Sequence, residues 1–299
     1  MNYAVIDVGS NSVRTSVYDV NDNGFKPLFS KKVQVGLTAY IKSRQLSQEG
    51  ISRLCSTLIG FQTLLEQVGV IATGVFATAP LRNINNSETV LDLVRRKTGY
   101  SMDVLDGESE AMLDYCGILH NMDSPHGTLY DIGGGSTEIV AFKENKPYLI
   151  KSIPLGSLSL YIKHVSDFLP TEKEQRHINK KIKNELKSVR FSRIPNAENI
   201  VGVGGSARGV VKLINALYKL PPDNMLITEE QLNRLFSIVA KGDHFARTLI
   251  LRNCPDRIHT IVPGLMVMLQ IIDNLRGSDI IISKYGVREG YLCQKMINC

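Results

Sequence analysis

Long apolar runs are missing from this chain. No stretch approaches the roughly 18 residues that a helix needs to cross a bilayer, and a strand, Tyr3-Ala-Val-Ile6, begins at once with no basic segment or cleavage site before it. The sequence therefore reads as cytoplasmic, with no membrane partner. Cysteine is sparse and unpatterned. Cys55, Cys116, Cys254, Cys293 and Cys299 are odd in number and none stands as C-x-x-C, so neither a disulfide framework nor a zinc site is expected. The six histidines include no His-x-x-x-His pair, which argues against a histidine metal site. A G-x-x-x-x-G-K-[ST] loop is absent, excluding a P-loop nucleotide site by pattern. No Ser-His-Asp set is visible.

What is present is an ordinary apolar fraction, 43% of 299 residues, enough for one large domain or two of usual size. The formal charge of +6 favours polyanionic partners without choosing among nucleic acid, nucleotide and phosphate polymer.

The informative feature is a repeat. Residues 3–18, "YAVIDVGSNSVRTSVY", align without a gap on residues 127–142, "GTLYDIGGGSTEIVAF", placing Asp7 on Asp131, Gly9 on Gly133 and Ser12 on Ser136. Each copy reads as an apolar strand ending in Asp, a small-residue turn, and a second strand leading to a polar turn, Asn21–Gly24 or Lys143–Lys146. Glycine lets the backbone approach an anion closely and adopt positive φ, so successive N–H groups can form an anion nest. A third loop, "IVGVGGSARGVV" (200–211), runs from a strand through Gly204, Gly205 and Ser206 into an expected helix Ala207–Leu217, an order that suits phosphate or ribose contact at a helix N-terminus.

Between the copies the pattern alternates between helix and strand. Ile51, Leu54, Leu58, Phe61 and Leu65 predict a helix over 47–68, followed by a strand at 73–77, a helix near 88–98, a strand at 102–105 and a helix near 108–121. The segment 120–127 is the best linker, giving an expected first domain of 1–122 and a second of 123–299, with a terminal helix near 287–299 able to pack back on the first. In the second half, Thr171-x-x-Glu174 is a capping box opening a long helix to about Val189. Its basic face carries Arg176, Lys180, Lys183, Lys187 and Arg190, and reads either as a solvated surface or as a track for a polyanion.

Asp7, Asp131 and Glu138 flank loops that otherwise offer neutral donors. Carboxylates there would repel phosphate unless a cation lay between, and Mg²⁺ is the ion held by one or two carboxylates plus phosphate oxygens. Phosphoryl transfer asks for positioning, charge neutralisation and a group to orient the nucleophile. Glu108 and Glu110, in the first turn of a helix, are carboxylates of the right kind, and each is equally an ordinary surface acid. Arg82, set in a loop after "ATAPL", can bind phosphate bidentately or be structural. The adjacent Arg288 and Glu289 cannot face each other on a helix, so each needs its own partner.

Taken in order, "IDVGSNSVR", "ATAPLR", "DGESEAML", "LYDIGGGSTEIV", "IPLGS", "VGVGGSARG" and "SKYGVREGYL" resemble the exopolyphosphatase/guanosine pentaphosphate phosphatase family over essentially the whole chain. The resemblance implies two α/β domains of the actin-like (ribonuclease H-like) ATPase superfamily with a ligand cleft between them. It implies hydrolysis of the terminal phosphoanhydride of inorganic polyphosphate by water with Mg²⁺, with guanosine pentaphosphate as the alternative substrate. In that reading Glu110 activates water and Arg82 assists. Asp131 binds metal with Glu138 and Asp7 as helpers. Gly9, Ser10, Asn11, Ser12, Gly133, Gly134, Gly135 and Ser136 grip phosphate, and Gly204, Gly205 and Ser206 match the nucleotide loop of superfamily kinases. A homodimer is allowed and nucleic acid is not an expected partner; a non-catalytic phosphate sensor and a kinase are the readings from other classes. Ser109 departs from the family, where another Glu is common, as does Pro80, where Ala is frequent. Longer members append a helical domain, whereas this chain stops soon after "REGYL", so a long basic channel is not expected. The expected outcome is a preference for short phosphate chains; turnover that climbs steadily with chain length into the hundreds contradicts it.

Overall fold

The computed structural model describes residues 1–120, 122, 124–194, 199–277 and 279–297. Of the expected linker 120–127, Asn121 and Asp123 lie outside the described residues. The chain forms two compact units, Met1–Gly117 joined by the C-terminal segment from Val287, and Ile118–Gly286.

The first unit is built on a five-stranded sheet of order β3-β2-β1-β6-β7. Its strands are β1 (Asn2–Val8), β2 (Ser12–Asn21), β3 (Gly24–Gln34), β6 (Ala72–Ala77) and β7 (Asp103–Val104), with β4 (Ile41–Lys42) and β5 (Gln45–Leu46) as a separate small ladder. The strands β1 to β3 form an antiparallel meander, while β6 and β7 run parallel to β1 and its neighbour. Helices α1 (Gln48–Gln67), α2 (Ala79–Arg82), α3 (Ser87–Thr98) and α4 (Gly107–Leu119) connect them. Strand alternation divides the core between two faces: Ala4, Ile6 and Val8 pack with Leu54, Leu58 and Phe61 of α1, whereas Val5 packs with Phe76, Leu113 and Tyr291. Burial on both faces is what a central strand in an α/β sheet demands. The expected stripe on α1 is buried in full, and Ser47 caps the helix by accepting from Gly50 N–H at 3.3 Å.

The second unit repeats the scheme with a six-stranded sheet of order β10-β9-β8-β11-β13-β12. Its meander is β8 (Gly127–Ile132), β9 (Thr137–Lys143) and β10 (Lys146–Ile153); β11 (Ile200–Val203) and β13 (Asp279–Ile282) run parallel to β8, and β12 (Leu226–Thr228) closes the edge antiparallel. Two-residue turns join the second and third strands in both meanders, with Asn21 opposite Gly24 and Lys143 opposite Lys146. In the second copy Glu144 and Asn145 both take positive φ, 53° and 55°, the conformation that matches strand twist. The helices are α5 (Ser157–His164), α6 (Glu172–Leu186), α7 (Gly204–Tyr218), α8 (Glu229–Val239), α9 (His244–Asn253) and α10 (Ile261–Leu275).

Helix α10 is apolar nearly all round and is the hub on which α5, α6, α7 and α8 pack. The capping box of α6 is formed: Thr171 N–H donates to Glu174 Oε2 at 2.8 Å and Glu174 N–H to Thr171 Oγ1 at 3.4 Å. These bonds, with others from Ser166, hold the Glu174 carboxyl down at about 2. The helix ends at Leu186 and continues as a 3₁₀ turn, Lys187–Val189, so the buried row Ile178, Ile182, Leu186 and Val189 spans both.

The last segment, α11 (Val287–Tyr291) and a π-helical turn Leu292–Ile297, belongs to the first unit. Arg288 and Glu289 do take separate partners, on the same face of β2. Arg288 donates to Ser16 Oγ at 2.7 Å, and Tyr18 O–H donates to Glu289 Oε1 at 2.6 Å. Burial, then the Glu289 carboxylate, pushes the Tyr18 phenol well above its usual range. Gly290 sits so close to α4 that a Cβ would run into the Leu113 carbonyl. Gly290→Ala is expected to lower the thermal midpoint by several degrees, because overpacking against backbone costs about 1–3 kcal/mol; an unchanged melt would show that the terminal segment does not stabilise the unit.

Candidate active site

In each unit the expected functional residues stand at the carboxyl ends of adjacent parallel strands, where an open α/β sheet leaves groups clear of the ladder. In the first unit, Thr78 N–H bonds Val8 O at 3.3 Å and Leu105 N–H bonds Ala77 O at 2.9 Å. These bonds bring the loop after β1, helix α2 after β6 and the start of α4 after β7 to one edge. In the second unit the same edge carries the loop after β8 and the start of α7 after β11.

The twin loops close by the same bond: Gly9 N–H donates to Ser12 O at 3.1 Å and Gly133 N–H to Ser136 O at 2.9 Å. Their carbonyls are taken by the segment that follows the third strand. Gly36 and Thr38 N–H bond Asn11 O and Ser10 O at 2.9 and 3.2 Å. Ser157 N–H bonds Gly133 O at 2.9 Å, while Leu158 and Ser159 N–H bond Gly134 O at 3.1 and 2.9 Å. With the carbonyls occupied, the N–H groups of Ser10, Asn11, Gly134 and Gly135 have no acceptor among the described residues, and they are the donors an anion would meet.

The expected use of positive φ in these loops is corrected. None of Gly9, Gly133, Gly134 and Gly135 adopts it. What requires glycine is closeness: a Cβ on Gly156 would run into the Gly134 carbonyl, and one on Gly9 or Gly133 would lie 3.3 or 3.2 Å from the Ser12 or Ser136 oxygen. In the third loop Gly204 does need positive φ, 77°, and a Cβ there would collide with the Asp131 carboxylate.

The expected helix start at Ala207 is also corrected, since α7 begins at Gly204 and the glycines form its first turn. Val203 provides no side-chain cap, so the first N–H groups stay on offer to an anion. The Ser206 hydroxyl is buried and donates to Ile132 O at 2.7 Å, tying α7 to the end of β8. Ser136, expected to touch phosphate, is likewise buried at the side chain, with 5% exposure.

The acids of the two copies differ in their cross-strand neighbours. Asp131 stands directly opposite Glu138, whereas Asp7 stands opposite Arg14. Like charges in register destabilise a strand pair, a cost that a cation beside Asp131 and Glu138 would offset. Glu138 is 1% exposed and accepts from Ser152 Oγ at 2.7 Å. Two carboxylates without a nearby soft ligand fit Mg²⁺, which keeps water and phosphate oxygens in its shell. No group of three His, Cys, Asp or Glu side chains suited to a metal gathers among the described residues.

Arg82 is not in a loop. It ends the short helix α2, which Pro80 opens. From there its Nη1 donates to Glu110 Oε2 at 2.8 Å and to Leu105 O at 3.1 Å. The side chains are 17% and 13% exposed, so the pair is largely withdrawn from water and held more firmly than a surface ion pair. Glu110 is aimed from the first turn of α4, whose N-terminus Asp106 caps by accepting from Ser109 N–H at 2.7 Å. Glu108, its open rival, is exposed.

Sequence reasoning missed Arg257. Its guanidinium packs on the backbone of α7 at Gly205 and Gly209, where a Cβ would meet it. Burial lowers its pKa, and the carboxylates of Asp256 and Asp131 oppose that shift. The signal available was two glycines four apart on one helix face, which announces a close neighbour without naming it.

A model of the Ppx/GppA phosphatase family matches residues 16–298. Exopolyphosphatase 1 of Mycobacterium tuberculosis is 27% identical over 304 residues, covering 99% of this chain and 88% of the relative. A Haemophilus influenzae relative named as a presumed exopolyphosphatase is 26% identical, covering 97% and 90%. Among solved structures, an exopolyphosphatase from Cytophaga hutchinsonii superposes with a TM-score of 0.88 at 20% identity, covering 98% of this chain and 96% of the other. The PPX-GPPA enzyme of Aquifex aeolicus gives 0.80 at 26% identity and covers 99% of each chain. The fold is thus that of the actin-like phosphatases.

Backbone hydrogen bonding from Ser109 lowers the pKa of Asp106, so its capping contribution is present above the ordinary carboxylate range and is lost as pH falls through the lowered value. Asp106→Ala is expected to destabilise by about 0.5–2 kcal/mol at neutral pH, with the difference from wild type vanishing in acid; a gap in melting temperature that persists well below pH 3 contradicts the cap.

Proposed function

Because the chain belongs to the Ppx/GppA phosphatase family, we propose that it is an exopolyphosphatase that hydrolyses the terminal phosphoanhydride of short inorganic polyphosphate with water. The observation that carries the reading is the desolvated Arg82–Glu110 pair at the strand-end edge that also presents the Ser10 and Asn11 donors. The name of the Mycobacterium tuberculosis relative, an exopolyphosphatase, supports polyphosphate as the substrate.

In this reaction Glu110 accepts a proton from water as the water oxygen attacks the terminal phosphorus. The bond to the bridging oxygen breaks, and its electron pair leaves with the shortened chain. Arg82 fixes the carboxylate and faces the charge on the transferring group. The N–H groups of Ser10 and Asn11 hold phosphate oxygens, needing no reorganisation as charge shifts, and those of Gly134, Gly135 and the first turn of α7 offer the same kind of donor within the second unit. Asp131 and Glu138 would hold Mg²⁺, and the ion would neutralise phosphate charge. Arg257, against Gly205, adds positive charge beside Asp131.

The test is phosphate release from tripolyphosphate and from guanosine pentaphosphate, with Mg²⁺ or with chelator, for wild type and Glu110→Gln. Release is expected to require the metal and to fall about 10²–10⁴-fold in the variant while binding is kept. Faster release from guanosine pentaphosphate would transfer the assignment to that nucleotide. Binding without release by the wild type would replace the enzyme with a phosphate sensor.

A further inference from the structure

The basic face of α6 remains outside the reaction, and its charge is unusually concentrated. Residues 171–194 contain eight Lys and Arg against three Glu, an excess of +5 in a chain whose formal total is +6. Two of the three carboxylates are paired with other cations of the helix: Glu172 with Arg176 at 3.8 Å and Glu185, near the C-terminal end, with Lys181 one turn before it. Among the described residues no carboxylate comes within ion-pair distance of Lys183 or Arg190, and Lys187 meets only the neutral Asn184 Oδ1 at 3.2 Å.

These three cations line one groove. It lies between the end of α6 and α10, has a volume of about 350 Å³, and is completed by Gln270, Asp273 and Asn274. Lys183 and Lys187 are four residues apart and so project on one face, where like charges repel. Arg190 follows the 3₁₀ turn in a left-handed conformation, φ 55°, and reaches the same groove. Among the described residues that line the groove, Asp273 is the single carboxylate. Gln270 and Asp273 also border a neighbouring groove that contains Glu172 and Glu229, so the trough along α6 is acidic at one end and basic at the other.

We propose that the basic end of this trough, Lys183, Lys187 and Arg190 over Gln270 of α10, is a binding site for a linear phosphate polymer, separate from the residues assigned to hydrolysis. The groove is within the size range of ligand sites. Its three cations form a short row suited to successive phosphoryl groups rather than to one compact anion. Single-stranded nucleic acid takes aromatic stacking platforms as well as cations. The one aromatic side chain here, Phe191, is partly buried against the core and leaves phosphate charge as what the groove can read. The proposal concerns binding and stands whether or not the chain turns the polymer over.

The experiment is equilibrium binding of medium-chain polyphosphate in chelator across a salt series. It compares wild type, the triple variant Lys183→Gln, Lys187→Gln and Arg190→Gln, and a control triple with the same charge loss, Lys173→Gln, Arg176→Gln and Lys180→Gln. Thermal unfolding of each checks the fold, and single substitutions replace a triple that fails to fold. The groove variant is expected to lose one class of binding at least tenfold and to flatten the salt slope by about two to three, one ion-release step per lost contact, while phosphate release from tripolyphosphate is unchanged. Equal weakening in the control triple would mean diffuse surface charge and overturn the site. So would an unaltered groove variant, and so would a fall in tripolyphosphate turnover that matched the loss of binding. Single-stranded RNA binding as tightly as polyphosphate, with the same sensitivity to the groove variant, would overturn its identity as a phosphate-polymer site.

Discussion

A glycine N–H that turns back to a serine carbonyl closes both hairpins of this chain, Gly9 to Ser12 and Gly133 to Ser136, and the rest of each unit is arranged around that closure. The bond fixes a loop too tight for side chains. The following segment then comes down on the loop and takes its carbonyls, through Gly36 and Thr38 in one unit and Ser157 to Ser159 in the other. Once the acceptors are used, the donors are what remain. The donors that an anion would meet therefore follow from the satisfaction of the backbone, not from a set of basic residues at the loop.

The duplication explains the shared scaffold, and the residues where the copies differ divide the labour. Arg14 faces Asp7 where Glu138 faces Asp131. One substitution in register replaces an acid–base pair with two acids, a cost that a cation bound there would offset. The Arg82–Glu110 pair likewise lies in the first unit only, on α2 and α4. A carboxylate beside a phosphate site would be repelled by its ligand if left mobile. Held by a guanidinium at the start of a capped helix, it keeps its aim.

Much of this was legible in the residues because it is local. The gap-free repeat showed two hairpins, the apolar steps of α1 showed a helix and its buried face, and Thr171 with Glu174 marked the start of α6. What was not legible depends on contacts between distant residues. Arg82 could be read as a possible phosphate ligand, but its bond to Glu110 joins residues 28 apart that only the adjacent ends of β6 and β7 bring together. Arg257 is far from Gly205 in sequence, and nothing in either segment names the other. The reason for Gly9 and Gly133 was misread because positive φ and close approach select the same residue, and only the structure distinguishes them. Helix α10 was overlooked for a further reason: "IVPGLMVMLQII" is apolar on every side, so it has no period to detect.

The terminal segment shows how a sheet edge far along the chain is completed. Val5, Tyr18 and Phe76 point away from α1 and would meet water without Tyr291 and Leu292. Phe76 and Tyr291 bring their ring centres to 4.9 Å, and Tyr291 O–H reaches Asp103 Oδ2 at 2.7 Å beside the strand that leads to Glu110. Arg288 and Glu289 are buried at 8% and 4% exposure, and Ser16 and Tyr18 are among the partners that offset that burial. The last residues thus hold β2 and β7 from their otherwise bare face. Since β1 lies between β2 and β6, and β6 carries β7, the positions of the first glycine loop and of the helix bearing Glu110 both rest on a segment more than 170 residues later in the chain.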